Sequence, residues 1–140
     1  MSLSNISILY EVPSLKTYRR LRSLAGLSPK SEEAARAGLK GTIFAVQIAH
    51  KNDVVGMGRL IGDGGCHFQV VDIAVLPQFQ GIGLGKKIVN EIVFYIRHNL
   101  PDTAYVSLIA DGPARKLYEE FGFRPTAPVS VGMYLRVEKL

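Results

Sequence analysis

The sequence predicts an α/β (α+β) single domain over residues 1–140: a mixed, mostly antiparallel sheet of about six or seven strands flanked by about four helices. Three observations carry this. Short β-branched runs alternate with stretches of helical period along the chain. Hairpin turns join some of the strands, whereas a helical stretch separates others, which calls for both antiparallel and parallel pairing. A glycine-rich turn, Gln80-Gly81-Ile82-Gly83-Leu84-Gly85, lies between an apolar run and an amphipathic one.

Ile6, Ile8 and Tyr10 alternate with polar residues and predict a first strand. Pro13 and Ser14 open a helix over 15–25 that Gly26 stops, and Ser31 N-caps a second over 32–39 with Glu32 and Glu33 in its first turn. Residues 43–49 and 54–61 form a hairpin around His50-Lys51-Asn52-Asp53. The turn Gly62-Asp63-Gly64-Gly65 leads to a strand over 67–75, ended by Pro77. Val89, Ile92, Val93 and Ile96 share one face of a helix over 86–100. A strand over 105–110 follows. Asp111-Gly112-Pro113 then caps a helix with Ala114, Leu117, Tyr118 and Phe121 on its inner stripe, and Gly122 stops it. A final strand covers 129–137, so the order is βααβββαβαβ.

With 140 residues and 47% hydrophobic content the chain supports one sizeable core. No apolar run approaches the roughly 18–20 residues that cross a bilayer, and no secretory signal is visible, so neither a membrane nor export is expected. The single cysteine, Cys66, excludes an internal disulfide and suits a reducing compartment, here the cytoplasm. His50, His67 and His98 are scattered, so no metal is expected. The net charge of +5 raises a nucleic-acid partner, but the basic residues are dispersed, the densest group being Lys16, Arg19, Arg20 and Arg22. A polyanionic cofactor explains the same excess, and no nucleic acid is expected.

The glycine turn builds a phosphate site from first principles. At a helix N-terminus, amides without acceptors and the positive end of the helix dipole converge. Gly81, Gly83 and Gly85 carry no Cβ, so a pyrophosphate can approach the main chain. A dinucleotide fingerprint needs glycine at the position of Lys86, and a nucleotide P-loop needs glycine at Gln80 and Ser or Thr at Lys87. What fits is Q-x-x-G-x-G, met by Gln80, Gly83 and Gly85.

That loop resembles the acyl-CoA loop of the GCN5-related N-acetyltransferases (GNAT), [RQ]-x-x-G-x-[GA] after a strand and before a helix. The specific match runs over 71–123: Val71-Asp72-Ile73-Ala74-Val75-Leu76-Pro77, the loop, then Ala114-x-x-Leu117-Tyr118-x-x-x-Gly122-Phe123. The resemblance implies an acetyl-CoA-dependent N-acetyltransferase in which a primary amine (small amine, polyamine, amino sugar or protein amine) attacks the thioester directly. Its alternative is a non-catalytic acyl-CoA sensor on the same scaffold. The family allows a homodimer, on which the sequence is silent.

By the same resemblance, amides of Ile82, Gly83, Gly85 and Lys86, with Gly81 and Leu84 in the loop, hold the CoA pyrophosphate, and Gln80 lines it. A bulge in the preceding strand leaves main-chain groups near Ile73 and Val75 for pantetheine. Lys86, Lys87, Arg115 or Lys116 meet the adenosine phosphates, and Asp111 stands where relatives carry an asparagine at the cofactor. Tyr118 is the implied general acid. The amine's base is open: relatives place a glutamate at the positions of Gln69 or Val71, which are not acidic here. Asp72 ranks first, provided a bulge turns it from the face that strand alternation gives it. Asp63, His67 and a water chain are the other candidates. Glu32, Glu33 or Asp63 are candidates to receive a cationic amine.

Overall fold

Five strands, β1 (Ile6–Leu9), β2 (Thr42–His50), β3 (Asp53–Gly62), β4 (His67–Val75) and β5 (Tyr105–Ser107), form one sheet in chain order. The computed structural model describes residues 4–138. The chain divides into two units, Met1–Leu108 and Ile109–Leu140, and the sheet belongs to the first. Neighbours are antiparallel from β1 to β4, and β4 and β5 are parallel. The mixed sheet is therefore as expected, with five strands rather than six or seven.

Three α-helices complete the first unit: α1 (Leu15–Leu24), α2 (Glu32–Leu39) and α3 (Leu84–Asn99), with a 3-10 turn at Pro77–Phe79. Ser14 and Ser31 accept hydrogen bonds from the amides of Thr17 and Ala34, which fixes where α1 and α2 begin. α3 starts two residues before the expected position, so the end of the glycine turn is its first helical turn.

The two faces of the sheet do different work. A Cβ added at Gly58 would lie 2.6 Å from Ile88 and 3.0 Å from Ile92 of α3, and one at Gly56 would lie 3.2 Å from Ile88. These glycines let α3 pack close, and burying each of its isoleucines contributes about 1.5–3 kcal/mol. Met57 and Arg59, one residue out of phase, face the opposite side, where α1 lies. Leu21 and Tyr18 of α1 are buried there.

β5 is shorter than expected. It pairs with β4 only at His67↔Tyr105, Phe68↔Val106 and Gln69↔Ser107. From Val70 onward the described residues of the first unit supply no strand on that edge of β4.

In the second unit, α4 (Ala114–Glu119) is a six-residue helix with Gly122 at φ 97° after it. Its N-cap is Pro113, without a side-chain hydrogen bond, so Asp111 does not cap it through its carboxylate; the Asp111 carbonyl accepts from the Ala114 amide instead. The expected stripe of Ala114, Leu117, Tyr118 and Phe121 is half-buried. The expected strand over 129–137 is not formed among the described residues: the alternation is present, but Val129 and Leu135 are exposed. A strand exists only through its hydrogen-bonded neighbour, which periodicity cannot supply. No helix of the described residues is long and apolar enough to cross a membrane.

Candidate functional site

The loop after β4 is held open by two left-handed glycines. Gly81 and Gly83 have φ of 81° and 90°, a region that costs residues with a side chain about 1–2 kcal/mol. A Cβ on either would meet no protein atom within 4 Å, so the outward side of the loop is open. Gly83 is the N-cap of α3, no side chain caps it, and no acid lies in the first turn. A helix start leaves its first amides without intrahelical acceptors, and here no capping side chain takes their place. The donor set, neutral amides at the positive end of a sixteen-residue helix, fits a diphosphate.

Gln80 secures the loop to the strand. Its Nε2 donates to the carbonyl oxygen of Val75 at 2.8 Å. This spends the Val75 carbonyl on the protein, so that group of the expected pantetheine contact is already occupied. Ile82 and Gly85 are half-buried, Leu84 is buried in the core, and Lys86 and Lys87 are exposed. The structure thus brings together Gln80 through Lys87 at one end of β4.

Asp72 lies earlier on the same strand, at a bulge. Arg59 pairs with Val71 and Met57 with Ala74, so Asp72 and Ile73 both stand opposite Gly58. Asp72 has φ 60°. This turn places its side chain on the same face as Val71, where simple alternation would put it opposite. There the carboxylate meets two arginines: Oδ2 accepts from Arg59 Nε at 2.8 Å, and Oδ1 from Arg22 Nη1. The Tyr18 hydroxyl donates to Oδ2 at 3.0 Å. Both guanidiniums also lie over the Tyr18 ring, 5.7 and 5.2 Å from its centre. Burial first, then the Asp72 carboxylate, raises the Tyr18 phenol above its ordinary pKa of 10.0.

A cleft of about 610 Å³ opens on this face. Its lining includes Arg59, Ile61, His67, Phe68, Gln69 and Ser107. Gln69 and Ser107 form the last β4–β5 pair, so the cleft reaches the point where the strands part. Asp63 is not part of it. That carboxylate accepts three amides of its own turn, from Gly65, Cys66 and His67 at 2.8–3.1 Å, which lowers its pKa from 3.8 to about 2.

Tyr118 is half-buried and meets Phe123 edge-on, ring centres 6.0 Å apart. Burial first, then the charge of Asp111, raises its pKa above 10.0, which keeps the phenol protonated at neutral pH. Arg115 pairs with Glu119 at 3.1 Å, and Asp111 is exposed.

Sequence reasoning did not single out Arg22, Arg59 and Tyr18. A signal was present: Arg59 and Asp72 are charges in the interior of two successive apolar strands, and such charges are buried only with partners.

Over residues 40–125 the chain matches the Acetyltransferase (GNAT) domain. The crystal structure of a protein of unknown function, described as a probable acetyltransferase, from meticillin-resistant Staphylococcus aureus is 48% identical. It covers 94% of this chain and 99% of its own, with a TM-score of 0.88. A GNAT family protein from Streptococcus pneumoniae is 22% identical over 96% and 99% of the two chains with a TM-score of 0.76, a likeness of fold alone. An uncharacterised N-acetyltransferase of Porphyra purpurea is 27% identical over 92 residues, 63% of this chain. The chain spans about half the length, 52%, of that relative. By the domain match, which covers well over half of its residues, the chain belongs to the GNAT acetyltransferase family.

Proposed function

We propose that the protein is an acetyl-CoA-dependent N-acetyltransferase that acetylates a primary amine by direct attack on the thioester, in the reducing cytoplasm that a lone cysteine suits. The observation that carries the reading is the loop at the start of α3: two left-handed glycines, an uncapped helix N-terminus and open space above both. Acetyl-CoA supplies the acetyl group as a thioester. The amides of Ile82, Gly83, Gly85 and Lys86 hold its diphosphate, and Gln80 fixes the loop that presents them. Lys87, Arg115 and Lys116 add positive potential for the remaining phosphates. Main-chain groups of β4 near Ile73 and Val75 other than the Val75 carbonyl, beyond the end of β5, receive the pantetheine arm in the manner of an added strand.

The attacking amine loses a proton, and Tyr118, kept protonated by burial and by Asp111, gives one to the departing thiolate. A phenol of pKa near 10 and a thiol near 8.5 are close enough for that transfer once the two are hydrogen-bonded. We assign Asp72 to holding the β4 bulge and α1 rather than to the base. Both of its oxygens already accept hydrogen bonds from Tyr18, Arg22 and Arg59. The amine proton passes through cleft water, with His67 the lining side chain that receives it.

The test is release of thiol from acetyl-CoA over a panel of primary amines. Turnover of at least one amine supports the reading. Saturable binding of acetyl-CoA with no turnover over the whole panel would make the protein an acyl-CoA sensor instead.

A further inference from the structure

The buried cluster on the α1 face does not balance its charge. The side chains of Arg22, Arg59 and Asp72 are 9%, 7% and 6% exposed, and they bring two guanidiniums to one carboxylate. Every donor group of Arg22 is used: Nη1 on Asp72, Nε and Nη2 on the Ser28 carbonyl at 3.1 and 2.7 Å, and Nη2 again on the Ser28 hydroxyl. Arg59 is different. Its Nε goes to Asp72, and its Nη1 goes to Thr42 Oγ1 at 2.7 Å and the Gly38 carbonyl at 3.2 Å. Its Nη2 has no partner among the described residues.

The position of that nitrogen follows. No fully enclosed side-chain nitrogen or oxygen among the described residues lacks a partner. Nη2 is therefore not sealed in, although the Arg59 side chain as a whole is only 7% exposed. Arg59 is also one of the residues that line the cleft. The cleft's other polar lining is His67, Gln69 and Ser107, and no acid lines it. A cationic pocket wall without a carboxylate repels a second positive charge and lacks only an oxyanion.

We propose that the cleft takes the acceptor, and that the acceptor is a primary amine carrying a carboxylate or phosphate, whose oxygens receive the Arg59 Nη2 hydrogens. This rests on the acetyltransferase reading and narrows its substrate class. It also turns the expectation around: Glu32, Glu33 and Asp63 do not line the cleft, so a polyamine would find no counter-charge there.

The experiment uses matched amines that differ in the anion: ethanolamine against O-phosphoethanolamine, and propylamine against β-alanine, with spermidine as the polycation. The anionic member of a pair should exceed its neutral partner about tenfold or more in kcat/KM, the scale of one charge-assisted hydrogen bond. The two pairs separate phosphate from carboxylate. Arg59→Lys keeps the charge but loses the forked donor, and should shrink that ratio. Should Arg59→Lys not fold, the wild-type ratios decide alone. Turnover that favours the neutral amines or spermidine overturns the proposal and leaves the acetyltransferase standing. The Arg59 Nε–H resonance, followed by NMR on adding O-phosphoethanolamine, separates the two failures. If it moves while no amine is acetylated, the anion site holds and the enzyme reading falls; a resonance that stays still overturns the site.

Discussion

Arg59 Nε donates to Asp72 Oδ2 at 2.8 Å, between residues that plain strand register would point to opposite faces. The left-handed turn at Asp72, two residues against one on the partner strand, brings them together. The bulge, the carboxylate of the ion cluster and the parting of β4 from β5 thus sit within a few residues of one another on β4. The site's geometry depends on that coincidence.

Asp72→Asn should be costly for folding and mild for proton transfer. It leaves two buried guanidiniums without their anion, a loss of roughly 3–5 kcal/mol by analogy with broken buried ion pairs. Denaturant unfolding checks this. Turnover should persist in whatever folds, whereas His67→Gln should lower kcat. A fully stable Asp72→Asn protein without turnover would return the base to Asp72.

Gln80→Ala should act on the cofactor loop alone. Losing the bond to the Val75 carbonyl removes about 1 kcal/mol of loop order, so CoA affinity should fall about five- to tenfold. Titration calorimetry reads the affinity, and a melting curve within a few degrees of wild type shows the fold intact.

Tyr118→Phe should lower kcat by about 10- to 10³-fold and leave CoA affinity nearly unchanged, because a proton donor acts only in the chemical step. Stopped-assay rates beside calorimetric affinities check it. Equal loss of both would make Tyr118 a packing residue.

Stability should fall at both ends of the pH scale for identifiable reasons. The folded Asp63 has its pKa lowered from 3.8 to about 2, so its stabilisation is present above 3.8 and is lost as pH falls through about 2. Tyr18 and Tyr118 are raised above 10.0, so their contribution is present below that value and is lost as pH rises past it. Urea midpoints against pH test this. Asp63→Asn should remove its part of the acid-side slope and leave the alkaline one.

How much of this was legible in the residues follows from which interactions are local. Ser31 as N-cap, the glycine-turn position and the hairpin around Asn52 depend on neighbours in sequence, and all appear where the sequence puts them. The strand expected over 129–137 does not, because alternation shows a readiness to pair and not the pairing. At the site, the loop was readable because a glycine without Cβ has few other uses at that spot. The Asp72 cluster was not. Its partners come from α1 and β3, far off in sequence, and only the folded sheet shows that both carboxylate oxygens are already engaged.

Calorimetric titration of CoA into the wild-type protein and into Gly83→Val tests the central claim most directly. The cradle of main-chain amides predicts saturable heat for the wild type. In Gly83→Val that heat should vanish, with circular dichroism reporting an unchanged fold, since a side chain there fills the open space above the loop. No heat from the wild type at millimolar CoA, or equal affinity in both proteins, would contradict it.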